Sequence, residues 1–555
     1  MSLTLQSPAR SRSRRALEAA GPVALYLALA LAFWLVPIVG EPGSNLIAAD
    51  DIDASAFLWM FSWWPHALGH GLEPFTPDVI FAPEGYNLAW ASSMPGPSVL
   101  LAPVTLALGP EATWNLLAVL APALGAWTAF LLCRHVTGRV GPSLVGGYVF
   151  GFSPFVLGHI AGAPNLATVA LVPLAALLVV RRVEGSLSER AFVISLAAVI
   201  AAQFLTWVET LALVTFFGAI ALALAYWLYP AAREALRRTM LLAAGAYAIV
   251  GVLVSPFLYA FAFEPHAEPS QALKDYPADA LSWVVPAHYQ AVATGHTRAG
   301  VPEYAVGYTY LGLPLVVLLA VFVWRYRRRR AAVLLGLCVV IPMIASLGKE
   351  LNVRGHDTGV PLPWAAFAEL PILRYAIPIR FGLFFLLPAA VAVALWLTWA
   401  RGRTVAWSAW GLAGLSVLFL LPAVGNDLWK TRLTAPAFFE GDAARTLIRD
   451  DDRVLTVPTW GESMRWQVDQ DFRFDLTGGY LGAFPESYMR YPAFRTVLSG
   501  QATPEAPAQL RRFIRDKGVT VIVVDERRPG PWRRLFGTLG VEPVQTQGVL
   551  LYRLR

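Results

Sequence analysis

Long apolar runs alternate with short polar segments along most of the chain, from about residue 20 to residue 424. A helix needs about 20 apolar residues to cross a hydrocarbon core of about 30 Å. The pattern therefore predicts about eleven membrane-spanning helices. They lie near 20–40, 113–133, 141–158, 166–181, 191–207, 210–228, 240–262, 306–324, 331–347, 379–400 and 405–423. The apolar segment 99–108 is short and interrupted by proline, so we interpret it as a re-entrant or interfacial piece.

Arginines are concentrated in alternate connections between these spans. The connections after the even-numbered spans carry arginine clusters, whereas the short connections after the third and fifth spans carry none. The clusters are Arg134 and Arg139; Arg181, Arg182 and Arg190; Arg233, Arg237 and Arg238; Arg325, Arg327, Arg328, Arg329 and Arg330; and Arg401 and Arg403. Because cytoplasmic loops are enriched in Lys and Arg, the N-terminus is predicted to be cytoplasmic. The outer side then carries the loops 41–112, 263–305 and 348–378 and the C-terminal tail.

Hydrophobicity falls after residue 424, and the long apolar runs give way to short ones. The tail has three β-rich runs, at 454–457, 519–524 and 549–554. Between them, 504–517 has the spacing of an amphipathic helix that ends before Gly518. We therefore expect a membrane domain over 1–424 and a small extracytoplasmic α/β domain over 425–555.

The composition agrees with a membrane protein and excludes several other classes. Hydrophobic residues make up 56% of the 555 residues and charged residues 15%, so lipid is the expected solvent of the fold. The formal net charge is +7, but the positive residues are placed where they orient helices, and we assign no nucleic-acid partner. Two cysteines give no basis for a disulfide framework or a cysteine-rich metal site.

Candidate chemistry begins just after the first span, where an acidic stretch covers 50–53. Carboxylates at this depth are costly unless they are solvated or used in function. On the local pattern alone, a helix cap or a polar interfacial collar explains them equally well. An aromatic stretch at 57–64 and a long Pro/Gly-rich segment follow. An irregular loop at the membrane interface needs protein or water to satisfy its backbone, which indicates a cavity wall.

These outer segments resemble the bacterial membrane glycosyltransferases of the GT-C superfold, relatives of oligosaccharyltransferase catalytic subunits, protein O-mannosyltransferases and the lipid A aminoarabinose transferase. The likeness is carried by Asp53, Phe57 and Trp59 together with the segment 64–68. The other segments that resemble this superfold are 278–286, 303–313, 374–381 and the tail. The resemblance implies a GT-C-like fold in the bacterial plasma membrane and a sugar donor carried on a polyprenyl phosphate.

The resemblance also implies an inverting glycosyltransferase that moves the sugar to a hydroxyl of a cell-envelope glycan, lipid or protein at the outer face. Such a transfer needs a carboxylate that accepts the hydroxyl proton, and a fixed cation stabilises the leaving phosphate. Asp53 is the predicted base with Asp51 in reserve, and Arg380 and Arg374 are the predicted phosphate-binding residues. For Arg380 the alternative is an anchor whose charge lies among lipid headgroups.

Four further residues are predicted to line the substrate cavity: Trp59, His66, His159 and Glu303. For His159, at a helix end, a purely structural role is the alternative. Glu209 and Glu303, outer-face carboxylates near span ends, are expected to be solvated rather than catalytic. The segment 159–165 has no carboxylate where many GT-C enzymes carry a second acidic motif. Cofactor use, including a divalent cation, therefore stays unassigned.

Two other functions are compatible with this pattern. A lipid-linked sugar transporter or flippase needs ionisable residues along a mid-membrane path, and the predicted spans contain almost none. A non-catalytic scaffold of the same fold fits the missing second acidic motif, whereas the acidic stretch at 50–53 favours the enzyme.

Overall fold

The computed structural model describes most of the chain and consists mainly of α-helices. The described residues are 12–35, 45–48, 52–267, 276–293, 301–302, 307–370, 373–424, 431–501 and 505–554. Membrane-type helices occupy the chain up to residue 419, and a small sheet with short helices forms the C-terminal part. The predicted class, a helical polytopic membrane protein with a small C-terminal α/β region, is confirmed.

Each of the eleven predicted spans overlaps a helix or a pair of helices in the described part of the chain. Long apolar runs have no alternative in lipid, because every backbone polar group must be paired within the segment. The helices before the tail are α1 Arg12–Ala30, α2 Ile52–His70, α3 Pro95–Leu100, α4 Ala102–Leu108, α5 Pro110–Thr137, α6 Val140–Gly151, α7 Pro154–Ile160, α8 Pro164–Ala167, α9 Leu171–Val183, α10 Glu189–Thr206, α11 Val208–Leu228, α12 Arg233–Leu253, α13 Ser255–Phe263, α14 Leu313–Arg325, α15 Arg330–Ser346, α16 Gly382–Trp399 and α17 Arg403–Phe419.

Six of the described helical segments are long and apolar enough to cross a bilayer. They are Pro110–Thr137, Pro164–Val183, Glu189–Thr206, Val208–Leu228, Pro230–Leu253 and Pro378–Trp399. The pair α6 and α7 is bent by 43° and makes a seventh if it counts as one span. Ala20–Trp34, Leu313–Arg325 and Arg330–Ser346 are apolar but shorter. The segment 99–108 forms parts of the two short helices α3 and α4.

The core of the bundle is built around α5, which contacts α1, α6, α9 and α16. Small residues allow α5 and α6 to approach closely. A methyl group on Gly151 would lie 2.2 Å from the backbone nitrogen of Ala126 and 2.5 Å from the carbonyl oxygen of Pro122. Such contacts between small residues are typical of helix packing in membranes, where tight van der Waals contact replaces the hydrophobic effect.

The arginine clusters lie together at one end of the bundle, called here the arginine-rich end. Glu189 accepts hydrogen bonds from Arg182 (2.9 Å) and from Arg238 (2.8 Å), which joins two connections. Arg329 lies over the ring of Trp399 at 4.2 Å, which joins two more. Helices that start at this end therefore finish at the other, called here the domain end, where the C-terminal sheet lies.

The C-terminal part contains a five-stranded sheet with the order β6-β5-β7-β9-β8. Strands β5, β6 and β7 are parallel, and β9 is antiparallel to both β7 and β8. The strands of the chain are β1 Asn45–Leu46, β2 Glu350–Val353, β3 His356–Pro361, β4 Thr431–Arg432, β5 Arg453–Val457, β6 Asp475–Leu476, β7 Val521–Asp525, β8 Val544–Thr546 and β9 Val549–Arg553. The helices of the tail are α18 Ala437–Glu440, α19 Asp442–Leu447, α20 Gly461–Asp469, α21 Glu486–Met489, α22 Pro492–Ser499, α23 Ala506–Lys517 and α24 Trp532–Gly537. The three predicted strands and the predicted helix correspond to β5, β7, β9 and α23.

The described part of the segment 41–112, called here the first outer loop after its predicted side, packs on this sheet and shares its hydrophobic core. Ile80 forms a parallel bridge with Leu476, so the loop extends the sheet at the β6 edge. Glu84 pairs with the buried Lys517, with a distance of 2.6 Å between Oε1 and Nζ. Residues separated by several hundred positions are thereby joined, and α2 is held at the domain end.

Candidate active site

Asp53 lies in the first turn of α2, and its side chain is exposed at the domain end. The residues that follow it, from Ala54 to Phe61, are buried against α5 and the C-terminal domain, so α2 is fixed while its N-terminus stays accessible. A carboxylate in the first turn is also favoured by the helix dipole. The other predicted base, Asp51, lies outside the described residues.

Trp59 and His66 lie further along α2, on the side that faces the tail. Trp59 is fully buried and donates a hydrogen bond from Nε1 to Oε1 of Gln467 at 2.7 Å. The Nδ1 atom of His66 lies 3.4 Å from a carboxylate oxygen of Asp471. Burial, and secondly the neighbouring His70, lower the pKa of His66, although Asp471 acts in the opposite direction. The structure thus places both residues in the contact between α2 and the C-terminal domain.

Arg380 lies in the short turn Pro378–Phe381, which leads into α16 at the domain end. The next residue, Phe381, is fully buried against Trp364 and against Phe217 of α11, which fixes the turn on α11. Arg380 forms an ion pair with Glu209 in the first turn of α11. The side chains are 22% and 16% exposed, respectively, so the pair is mostly shielded from water. The expectation that Glu209 is solvated is wrong.

His159 lies near the end of α7, next to this ion pair, and is almost fully buried. Its Nδ1 atom hydrogen-bonds to the carbonyl oxygen of Phe155 at 2.7 Å, and its ring stacks on Tyr308 with centroids 4.0 Å apart. Gly382, two residues after Arg380, lies against both Tyr308 and Phe155, the residues that hold the His159 ring, so His159 and the turn of Arg380 are neighbours. The structure therefore joins two predicted site residues, His159 and Arg380, with one that the sequence argument set aside, Glu209.

Arg374 is exposed, and its guanidinium lies over the ring of Tyr375, 4.7 Å from the centroid. Tyr375 in turn contacts Trp90 of the first outer loop edge-on, with centroids 5.9 Å apart. Arg374 thus lies at the rim of the domain end rather than beside Glu209. The remaining predicted cavity residue, Glu303, lies outside the described residues.

Asp53 and Arg380 belong to two separate groups, and no ion pair joins them. They are connected through α5. Phe57, one turn after Asp53, contacts Trp114 of α5 with ring centroids 5.9 Å apart. Trp114 and Ile160, the residue after His159, line the same small gap between α5, α7 and α8. This gap therefore lies between neighbours of the two groups, Trp114 on the side of α2 and Ile160 next to His159.

Asp279 is a buried carboxylate in the resembling segment 278–286, and both of its oxygens accept backbone hydrogen bonds. One oxygen accepts the backbone N–H of Leu281 and the other that of Gly355, both at 2.9 Å. These bonds fasten the loop to the turn between β2 and β3. Across the ranges that the structure describes, no three His, Cys, Asp or Glu side chains are grouped as metal ligands.

This architecture, a helical bundle with an α/β domain and an acidic first loop at one end, is the GT-C fold. An apo oligosaccharyltransferase from Archaeoglobus fulgidus superposes with a TM-score of 0.56 at 10% identity, covering 95% of this chain and 72% of that one. The arabinofuranosyltransferase AftD from Mycobacteria gives 0.58 at 16% identity, covering 99% of this chain and 40% of AftD. At these identities the likeness establishes the fold.

The chain belongs to the family described as a domain of unknown function, DUF6311, whose model matches residues 23–413. A comparison with curated proteins gives no match. A further similar structure is the archaeal oligosaccharyltransferase AglB from Archaeoglobus fulgidus in complex with an inhibitory peptide and a dolichol-phosphate. It has a TM-score of 0.54 at 10% identity and covers 98% of this chain and 75% of AglB.

Proposed function

We propose that this protein is an inverting glycosyltransferase that transfers a sugar from a polyprenyl-phosphate donor to an acceptor hydroxyl at the domain end. The observation that carries the proposal is Arg380, a cation at the domain end of a GT-C fold that is mostly shielded from water. The inside-positive bias does not account for an arginine at this end. The similar AglB structure holds a dolichol-phosphate, a ligand of the same lipid-phosphate class.

The chemistry assigns a role to each group. The acceptor oxygen attacks C1 of the sugar, and the bond between C1 and the phosphate oxygen breaks. Asp53 takes the hydroxyl proton, which contributes typically 10²–10⁴-fold to such a rate. Arg380 stabilises the charge that develops on the leaving phosphate, and this effect is large where water is partly excluded. Arg374, at the rim, is positioned to attract the anionic headgroup.

The orientation of the arginines supports the outer face as the site of transfer. Every arginine cluster between spans lies at the arginine-rich end, which the inside-positive bias assigns to the cytoplasm. The C-terminal domain, Asp53 and Arg380 lie at the opposite end. We therefore propose the bacterial plasma membrane as the location, with the active site on its extracytoplasmic side and a cell-envelope glycan, lipid or protein as the acceptor.

Charged residues of the described spanning helices lie near helix ends. This placement offers no row of ionisable groups across the membrane, which a transporter of lipid-linked sugars would require. It supports chemistry at one face over transport through the bundle.

The proposal is tested by measuring donor use with purified wild type, Arg380→Ala and Arg403→Ala. Arg403 begins α17 at the arginine-rich end and is the matched control for loss of one arginine at a helix start. We expect Arg380→Ala to lower kcat/KM for a polyprenyl-phosphate sugar by about 10²–10³-fold, as for removal of other charge-stabilising groups. Arg403→Ala should match wild type. Equal donor use by all three proteins would contradict the proposal.

A further inference from the structure

The ion pair between Arg380 and Glu209 is monodentate: one guanidinium nitrogen contacts one carboxylate oxygen, and no second, parallel hydrogen bond is formed. Nη1 of Arg380 meets Oε2 of Glu209, and the same oxygen accepts a hydrogen bond from Nε1 of Trp207 at 3.2 Å. The strongest arginine–carboxylate pairs use two parallel hydrogen bonds. This pair therefore leaves part of the binding capacity of the guanidinium unused.

The second carboxylate oxygen of Glu209 is not used either. Oε1 is buried and has no hydrogen-bond partner within the described part of the chain. A buried charged oxygen without a partner costs free energy, because the water that solvated it has been removed. The carboxylate is therefore held against Arg380 in an arrangement that is poor for stability, and another anion can replace it at low cost.

A phosphate would require the same guanidinium. Two anions on one cation repel each other, and the repulsion is strong where both are mostly shielded from water. A phosphate carries several acceptor oxygens and can form the two-pronged contact that Glu209 does not form. Binding of the phosphate and release of Glu209 are therefore coupled.

We infer that Glu209 is an internal counter-ion that a lipid phosphate must displace from Arg380. The inference rests on the proposed function, because it assigns the phosphate to Arg380. It has a consequence for specificity. A free phosphate gains only the contact with the guanidinium and competes poorly with Glu209, whereas a lipid phosphate adds the binding free energy of its chain. Release of Glu209 costs both ligands the same free energy, so Glu209 weakens both by the same factor, and only the lipid phosphate, which also gains from its chain, still binds appreciably.

The experiment measures the affinity of purified full-length protein in detergent for a short-chain polyprenyl phosphate and, separately, for inorganic phosphate. Glu209→Gln keeps the size of the side chain but removes its charge. We expect it to bind the polyprenyl phosphate about tenfold more tightly than wild type, and to bind inorganic phosphate measurably where wild type binds it weakly. In the background Arg380→Gln, the substitution Glu209→Gln should give no gain, because the cation is absent.

Glu111→Gln is the matched control. Glu111 also forms a partly shielded ion pair at the domain end, with Arg465, and the two side chains are 30% and 23% exposed, respectively. It should bind both phosphates as wild type does. Thermal unfolding shows whether Glu209→Gln is folded. If it is not, Glu209→Asp is used instead. The shorter Asp side chain holds its carboxylate farther from Arg380, so we expect a smaller gain in affinity for both phosphates.

The outcomes separate this inference from the proposed function. If wild type binds the polyprenyl phosphate, Arg380→Gln weakens binding, and neither Glu209 variant tightens it, the counter-ion role is wrong and the proposed function stands. If neither wild type nor any variant binds the polyprenyl phosphate, both are wrong. A gain for Glu111→Gln equal to that for Glu209→Gln would also overturn the inference, since the effect would then not depend on Arg380.

Discussion

At the scale of single residues, the candidate site depends on side chains whose surroundings differ from those of ordinary surface groups. Arg380 is held by a carboxylate from another helix, and His159 is fixed by a backbone carbonyl and by an aromatic ring. Asp53, by contrast, is exposed at a helix start. Transfer from a phosphate leaving group requires a base for the acceptor proton and a cation for the phosphate, and Asp53 and Arg380 are the two candidates at this end of the bundle.

His66 gives a pH dependence of stability with a definite sign. Burial lowers its pKa in the folded protein, so the unfolded chain takes up the proton first as the pH falls below about 6.5. The stabilising contribution of neutral His66 is present above that pH and is lost below it. We expect the unfolding temperature to fall between pH 7.5 and pH 5.5, and His66→Gln to reduce this fall.

The matched control for this prediction is His356→Gln, because His356 is exposed in β3. It should leave the pH profile of the unfolding temperature as in wild type. If the pH profile of the unfolding temperature for His66→Gln coincided with that of wild type, burial of His66 between α2 and the tail would not be a cause of the pH dependence.

At the scale of elements, α2 is the link between the membrane bundle and the C-terminal domain. It packs on α5 through Phe57 and on α20 through Trp59, whose indole stacks on Trp63 with ring centroids 5.5 Å apart. The C-terminal domain therefore supports the helix that carries Asp53. We infer that the tail positions the first outer loop and is not an independent appendage.

Trp59→Ala tests this support. Removal of a fully buried tryptophan that also forms a hydrogen bond should lower the free energy of unfolding by about 3–5 kcal/mol, since it leaves a cavity and removes the donor to Oε1 of Gln467. The measurement is thermal unfolding in detergent. Trp407→Ala is the control, because Trp407 is 71% exposed on α17 and its loss should have little effect. Similar unfolding temperatures for both variants would contradict a supporting role of α2.

The helices and three strands were predictable because each depends on a local pattern. A run of about 20 apolar residues can only be a helix in lipid, and short β-rich runs flanked by turns indicate strands. The extension of the sheet by Ile80 and the burial of Trp59 depend on partners several hundred residues away, which no local pattern reveals. Glu209 was misjudged for the same reason, since its partner is 171 residues distant.

At the scale of the whole molecule, the two ends of the protein differ in their charged residues, and we infer that they differ in function. Arginine clusters joined by ion pairs and aromatic contacts occupy one end, and they are suited to fix the orientation in the membrane. The other end combines the first outer loop, the C-terminal domain and the group of Arg380, Glu209 and His159. The GT-C fold thus presents its candidate chemistry at a single face.

The most direct test of the account is sugar transfer from a polyprenyl-phosphate donor by purified wild type and by Asp53→Asn, with thermal unfolding and donor binding recorded for both. Asn keeps the size of Asp but does not accept a proton at neutral pH, and loss of the carboxylate's interaction with the helix dipole costs only about 0.3–1 kcal/mol at an exposed position. The proposed function predicts transfer by wild type and a loss of about 10²–10⁴-fold for Asp53→Asn, with nearly unchanged unfolding and with donor still bound. Equal transfer by the two proteins, or no transfer by wild type with any such donor, would contradict it.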